Sequence, residues 1–146
     1  MGKIKFTDNS GTFVIENPEN YSGLYLPLAG EKELKSSITP TLAGDSKTDQ
    51  NHFLFEPVSI ENLHNNKNGR NFWCLINGSN MWSVSGASAM QEAEKFSKEQ
   101  DESKIEAGLM WQKLTRVSKK FGIRAEVLSF VPVDENIEIM YVTLKN

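Results

Sequence analysis

The chain has 146 residues, of which 38% are hydrophobic and 24% charged, and a formal net charge of −3. That is enough chain for one domain with a core and too little for two, with the make-up of a folded chain rather than a disordered one. Such a mildly acidic chain recruits no polyanion, so neither nucleic acid nor a membrane surface is an expected partner.

No apolar run is long enough to span a bilayer, and Met1–Ser10 lacks the charged-then-apolar order of a secretion signal. The single cysteine, Cys74, excludes an internal disulfide, so a reducing cytoplasm is the expected compartment. Cys74 sits in the apolar run Phe72–Ile76, the setting of a buried, inert thiol.

Thr12–Glu16 has the β-branched and aromatic content of a strand, and Asn17-Pro18 ends it. Tyr25–Leu28 is a second short apolar run, closed by Ala29-Gly30. Glu31–Gln50 reads as polar and turn-rich, punctuated by Pro40 and Gly44, and Phe53–Phe55 is another short strand stopped by Pro57. Arg70–Ile76 is a strand apolar on both sides, and Asn77-Gly78, where positive φ is tolerated, turns it back. The spacing predicts a hairpin with a loop over Asn77–Asn80 and a return strand at Met81–Val84. Ala87–Gln100 is the one stretch rich in helix formers; it is short and polar, an exposed helical insert in which Ala89, Ala93 and Phe96 share a face.

From Ile105 apolar residues alternate with polar ones, and the pattern predicts one strand through Val117, with Trp111 buried. A turn at Ser118–Gly122 leads to a strand at Ile123–Val131, and the acidic turn Asp134–Asn136 to a third at Ile137–Leu144. Short polar turns between long strands make an antiparallel meander, and the expected fold is all-β, an antiparallel β-sandwich with a short helical insert. The third strand runs into Lys145-Asn146 with little chain left to cover its sheet. Residues 1–146 are therefore expected to be a single domain, incomplete at its C-terminal end, with an edge prone to pairing.

The chemistry-bearing residues exclude more than they suggest. His52 and His64 lie twelve positions apart with no cysteine pair, which is not a zinc spacing. Asp45–Asn51 alternates oxygens like a calcium loop but lacks the central glycine and closing glutamate. No metal or cofactor is expected. There is no Gly-x-Ser-x-Gly elbow and no phosphate loop, and Ser85-Gly86-Ala87-Ser88 reads as a turn, so no catalytic residue is assigned. What stands out is a middle region of planar polar side chains and tryptophan, from Asp45 to Trp73. Sugar recognition asks for such groups, with an aromatic face for the C–H side of the ring. The same composition also suits turns built by Asx residues around a core packed with Trp73, Trp82 and Trp111.

Between Tyr25 and Arg116 the chain resembles the N-terminal domain of the cellobiose-phosphorylase-like inverting glycoside phosphorylases. The matching stretches are Tyr25–Ala29, Ser36–Leu42, Gly44–Asn51, Glu56–Ser59, Leu63–Asn65, Arg70–Trp73 and Trp82–Gly86, with Glu106–Trp111 and Phe130–Pro132 extending the likeness. The resemblance implies a β-sandwich of the galactose-mutarotase-like supersandwich type in a large cytoplasmic enzyme, followed by a helical linker, a catalytic α/α barrel and a small C-terminal sheet. Such enzymes cleave a β-glucosidic bond with inorganic phosphate, their co-substrate, and release a sugar 1-phosphate. One aspartate is the general acid and phosphate the nucleophile, so a second carboxylate is not needed.

That aspartate belongs to the barrel, and no position here matches it. The implied role is therefore non-catalytic: supporting the binding of a β-linked oligosaccharide, docking on the barrel of the parent chain, and forming a homodimer. Asp45, Lys47, Asp49, Gln50 and Arg70 are the candidate substrate contacts, from their polarity and place in the matching stretches. The alternative is a free-standing β-sandwich module that binds carbohydrate or protein.

Overall fold

The computed structural model describes residues 4–21, 24–55 and 69–146. Within them the chain forms β1 (Lys5–Phe6), β2 (Phe13–Glu16), β3 (Leu26–Ala29), β4 (Lys35–Ile38), β5 (Gly44–Lys47), β6 (Phe53–Phe55), β7 (Trp73–Ile76) and β8 (Asn80–Ser83). The helix α1 (Ala89–Glu94) follows, then β9 (Glu102–Gly108), β10 (Trp111–Ser118), β11 (Ile123–Phe130) and β12 (Ile139–Lys145). Pro18–Asn20 is a single 3₁₀ turn after β2.

All pairing is antiparallel. A six-stranded sheet runs β1-β2-β9-β10-β11-β12, a four-stranded sheet runs β3-β4-β5-β6, and β7 and β8 form a separate hairpin. The fold is all-β and sandwich-like with a short helical insert, as expected. Alternation in the long strands decides the buried face. Ile105 and Ala107 of β9, Leu114 of β10, and Ala125 and Val127 of β11 are fully buried. Against them pack Leu28, Ile38 and Leu42 from the β3–β5 segment and Trp82 and Val84 from the second hairpin, so one core serves all three sheets.

Three expectations are corrected. Ile105–Val117 is not one strand: β9 ends at Gly108, and Leu109-Met110 turn the chain so that Gly108 pairs with Trp111. The inward set switches from odd positions (Ile105, Ala107) to even ones (Gln112, Leu114), which a reading of continuous alternation cannot register. Met110 takes the turn at φ 62 although nothing in Leu-Met signals one. Trp111 consequently lies at the hairpin end and is only half-buried, with its indole over Gly108, where an added Cβ would meet Nε1 at 2.5 Å.

Second, the polar segment Glu31–Gln50 holds two strands, β4 and β5. Their inward side carries Ser36 and Ser46, whose hydroxyls bond to each other at 3.0 Å, and Ser36 also donates to Glu138 at 2.5 Å. Third, the inner residue of α1 is Gln91, while Ala89, Ala93 and Phe96 are exposed. Of the three tryptophans only Trp82 is fully buried. Among the described residues no helix is long and apolar enough to cross a membrane.

Candidate functional site

The five residues predicted from sequence do not converge. Asp45 and Lys47 flank the buried Ser46 on β5, and Lys47 Nζ lies 5.6 Å from the centre of the Phe53 ring. Asp49 follows in an exposed turn, where its carboxylate accepts from the backbone amides of Asn51 (2.8 Å) and His52 (3.1 Å) and pairs with the His52 ring. The Asn51 amide, with His52 beside it, holds the Asp49 carboxyl below its ordinary value. Gln50 is exposed in the same turn.

Arg70 is buried and fully employed within the protein. It pairs through Nε and Nη2 with Glu138, donates to the Asp45 carbonyl at 3.0 Å, and lies 4.9 Å over the Phe55 ring. An arginine bound on all sides in this way ties the small sheet to the lead-in of β12.

The richest concentration of polar groups lies elsewhere, in a concavity of about 1100 Å³ bordered by the 3₁₀ turn, the β4–β5 turn and the loop between β8 and α1. Of the five predicted residues only Arg70 borders it. Its floor is Arg116, an inward position of β10 next to Leu114 in the alternating register, 4% exposed. Arg116 donates from Nε to the Val84 carbonyl (2.9 Å) and from Nη2 to the Ser85 carbonyl (3.3 Å), and forms no ion pair among the described residues. Burial pulls its guanidinium below the ordinary value, against Glu19, Asp101 and Glu92, whose charges push it back up. Gly86, at φ +84, lies against this guanidinium; a Cβ there would meet Nη2 at 2.9 Å.

Two hydrogen-bonded relays set the walls. Gln91 accepts from the Ser83 amide (2.9 Å), returns a bond to the Ser83 carbonyl (2.9 Å), and donates to Asp101 (2.7 Å), which also receives the Trp82 indole N–H at 2.8 Å. Opposite, Glu19 accepts from Gln100 (3.0 Å) and Ser103 (2.5 Å). Asn71 receives the Ser83 hydroxyl at 2.9 Å. Tyr21 also borders the concavity, while its hydroxyl is shielded from solvent and has no hydrogen-bond partner among the described residues.

Charge is balanced around the concavity: Arg70, Lys95 and Arg116 against Glu19, Glu92 and Asp101. The arrangement can present donors and acceptors to a neutral polar ligand, with side chains already fixed by internal bonds. Among the described residues no group of three metal-ligating side chains clusters. Sequence reasoning missed Glu19, Gln91, Asp101 and Arg116. Only Arg116 left a readable trace, a cation two positions from Leu114 on what becomes the inward side of a strand. Cys74 is half-buried, and burial raises its thiol above the ordinary value, away from nucleophile chemistry. A comparison with protein-family models and with curated proteins finds no match to this chain.

Proposed function

We propose that the chain is the non-catalytic β-sandwich portion of a cytoplasmic glycoside phosphorylase acting on β-linked gluco-oligosaccharides, and that it supports carbohydrate binding and docks on a catalytic helical barrel. One observation carries the reading. Three of the stretches that resemble the phosphorylase domain are far apart in sequence yet border the same concavity, through Thr39, Pro40 and Thr41, through Arg70 and Asn71, and through Ser85 and Gly86. A purely structural likeness has no reason to gather its polar members at one concave surface.

The test is complementation. The chain alone should release no sugar 1-phosphate from cellobiose or laminaribiose with phosphate. Added to a glycoside phosphorylase barrel expressed without its own β-sandwich, it should raise phosphorolysis well above the barrel alone. Turnover by the purified chain would overturn the non-catalytic role, and a barrel indifferent to the chain would overturn the docking role. The free-standing module is the second reading. It is favoured by the single core that Ile105, Leu114, Leu28 and Ile38 form within this chain, and it predicts oligosaccharide binding with no effect on the barrel.

A further inference from the structure

Phe96 is the least comfortable residue bordering the concavity. It stands just past α1 at φ 66, a left-handed conformation in which a bulky side chain is strained, and its ring is 75% exposed at the rim. The backbone is held there by a bond from the Phe96 amide to the Gln100 side chain at 2.9 Å. Gln100 in turn donates to Glu19, so the strained turn is wired into the wall of the site. Glycine satisfies that backbone without strain, and burial gives the phenyl ring nothing. What the ring does have is a position at the rim of a space floored by Arg116 and walled by planar amides and carboxylates, largely exposed, with the Lys95 Nζ 5.7 Å from its centre.

We propose that this concavity is a subsite for one neutral, hydroxyl-rich sugar ring, with Phe96 as its stacking platform and Asn71, Gln100 and Arg116 as its polar contacts. The proposal rests on the carbohydrate reading above and assigns it to this place. A sugar ring matches both halves of the surface. Its axial C–H face packs on an aromatic ring, while its equatorial hydroxyls both donate and accept and so serve carboxylates and cations alike. An anion such as phosphate is disfavoured, because Glu19, Glu92 and Asp101 border the same space and offset the three cations.

The experiment uses the whole chain, isotope-labelled for NMR, titrated with cellotetraose, laminaritetraose and inorganic phosphate. At least one oligosaccharide should shift the side-chain amide signals of Asn71 and Gln100, and phosphate should leave them in place. Phe96→Gly removes the ring and relieves the backbone, so melting temperature should hold or rise while oligosaccharide affinity falls about tenfold. If an oligosaccharide binds but Phe96→Gly binds equally well, the subsite is overturned and carbohydrate binding lies elsewhere on the chain. If no oligosaccharide binds, the carbohydrate reading and the subsite fall together. If phosphate moves the amides and sugars do not, the site belongs to an anion and the proposal is wrong.

Discussion

Asp49 illustrates how a residue chosen for polarity acquires a local task. Its carboxylate closes the exposed turn after β5 by accepting from two backbone amides, and those bonds hold its pKa below the ordinary 3.8. A carboxyl whose folded pKa lies below its unfolded one contributes stability above the unfolded value. That contribution is lost as pH falls through the folded value. Asp49→Asn should therefore melt slightly below the parent chain at neutral pH, and the gap should close as pH falls through and below the ordinary 3.8. Thermal unfolding of both proteins across that range is the check. A gap that stays constant in acid would mean that the charged carboxylate is not the source of the effect.

At the scale of an element, α1 shows why helical periodicity misleads in a short insert. Ala89, Ala93 and Phe96 have the spacing of an apolar face, yet all three are exposed, and Gln91 faces the protein. Six residues bury too little apolar area for hydrophobicity to set the rotation of the helix. The rotation is fixed instead by the Ser88 cap, whose hydroxyl accepts from the Gln91 amide, and by the three bonds Gln91 makes to Ser83 and Asp101. Gln91→Leu keeps the volume and strips those bonds, leaving the Ser83 backbone groups without their side-chain partner and the Asp101 oxygen with only the Trp82 indole. The expected cost is about 2–4 kcal/mol in urea unfolding. Ala93→Lys on the exposed side should cost no more than about 0.5 kcal/mol. Equal effects at the two positions would show that the helix docks by another face.

For the whole molecule the informative contact is Arg70 with Glu138, which joins the segment leading into β7 to the lead-in of β12 across a separation of 68 residues, while Arg70 also holds the Asp45 carbonyl of β5. Both side chains are largely withdrawn from solvent, at 5% and 13% exposed. Removing one partner strands a buried charge, so Arg70→Met should cost about 3–5 kcal/mol. Replacing both, as Arg70→Met with Glu138→Leu, should recover most of that loss, because the apolar pair needs no compensating charge. A double-mutant cycle by denaturant unfolding measures the coupling, and additive losses would place the two residues in separate roles. The same contact explains why Arg70, though it borders the concavity, supplies scaffolding there: its donors are committed within the protein.

Periodicity and turn chemistry in the sequence determined the all-β class, the pairing of β10, β11 and β12, and the hairpin at Asn77-Gly78, whose two residues take φ 50 and φ 71. These features follow from local sterics and from a two-residue alternation that neighbours in sequence carry by themselves. The tertiary structure alone decided the turn at Leu109-Met110, the strands hidden in Glu31–Gln50, and the gathering of Glu19, Asn71, Asp101 and Arg116 around one concavity. Each of these depends on partners tens of residues away: a strand that sets register, a half-buried carboxylate that makes two serines welcome inside, a carbonyl that accepts from an arginine. Long-range pairing energies of that kind leave no mark on local composition, which is why the predicted site residues followed polarity along the chain while the polar cluster formed across it.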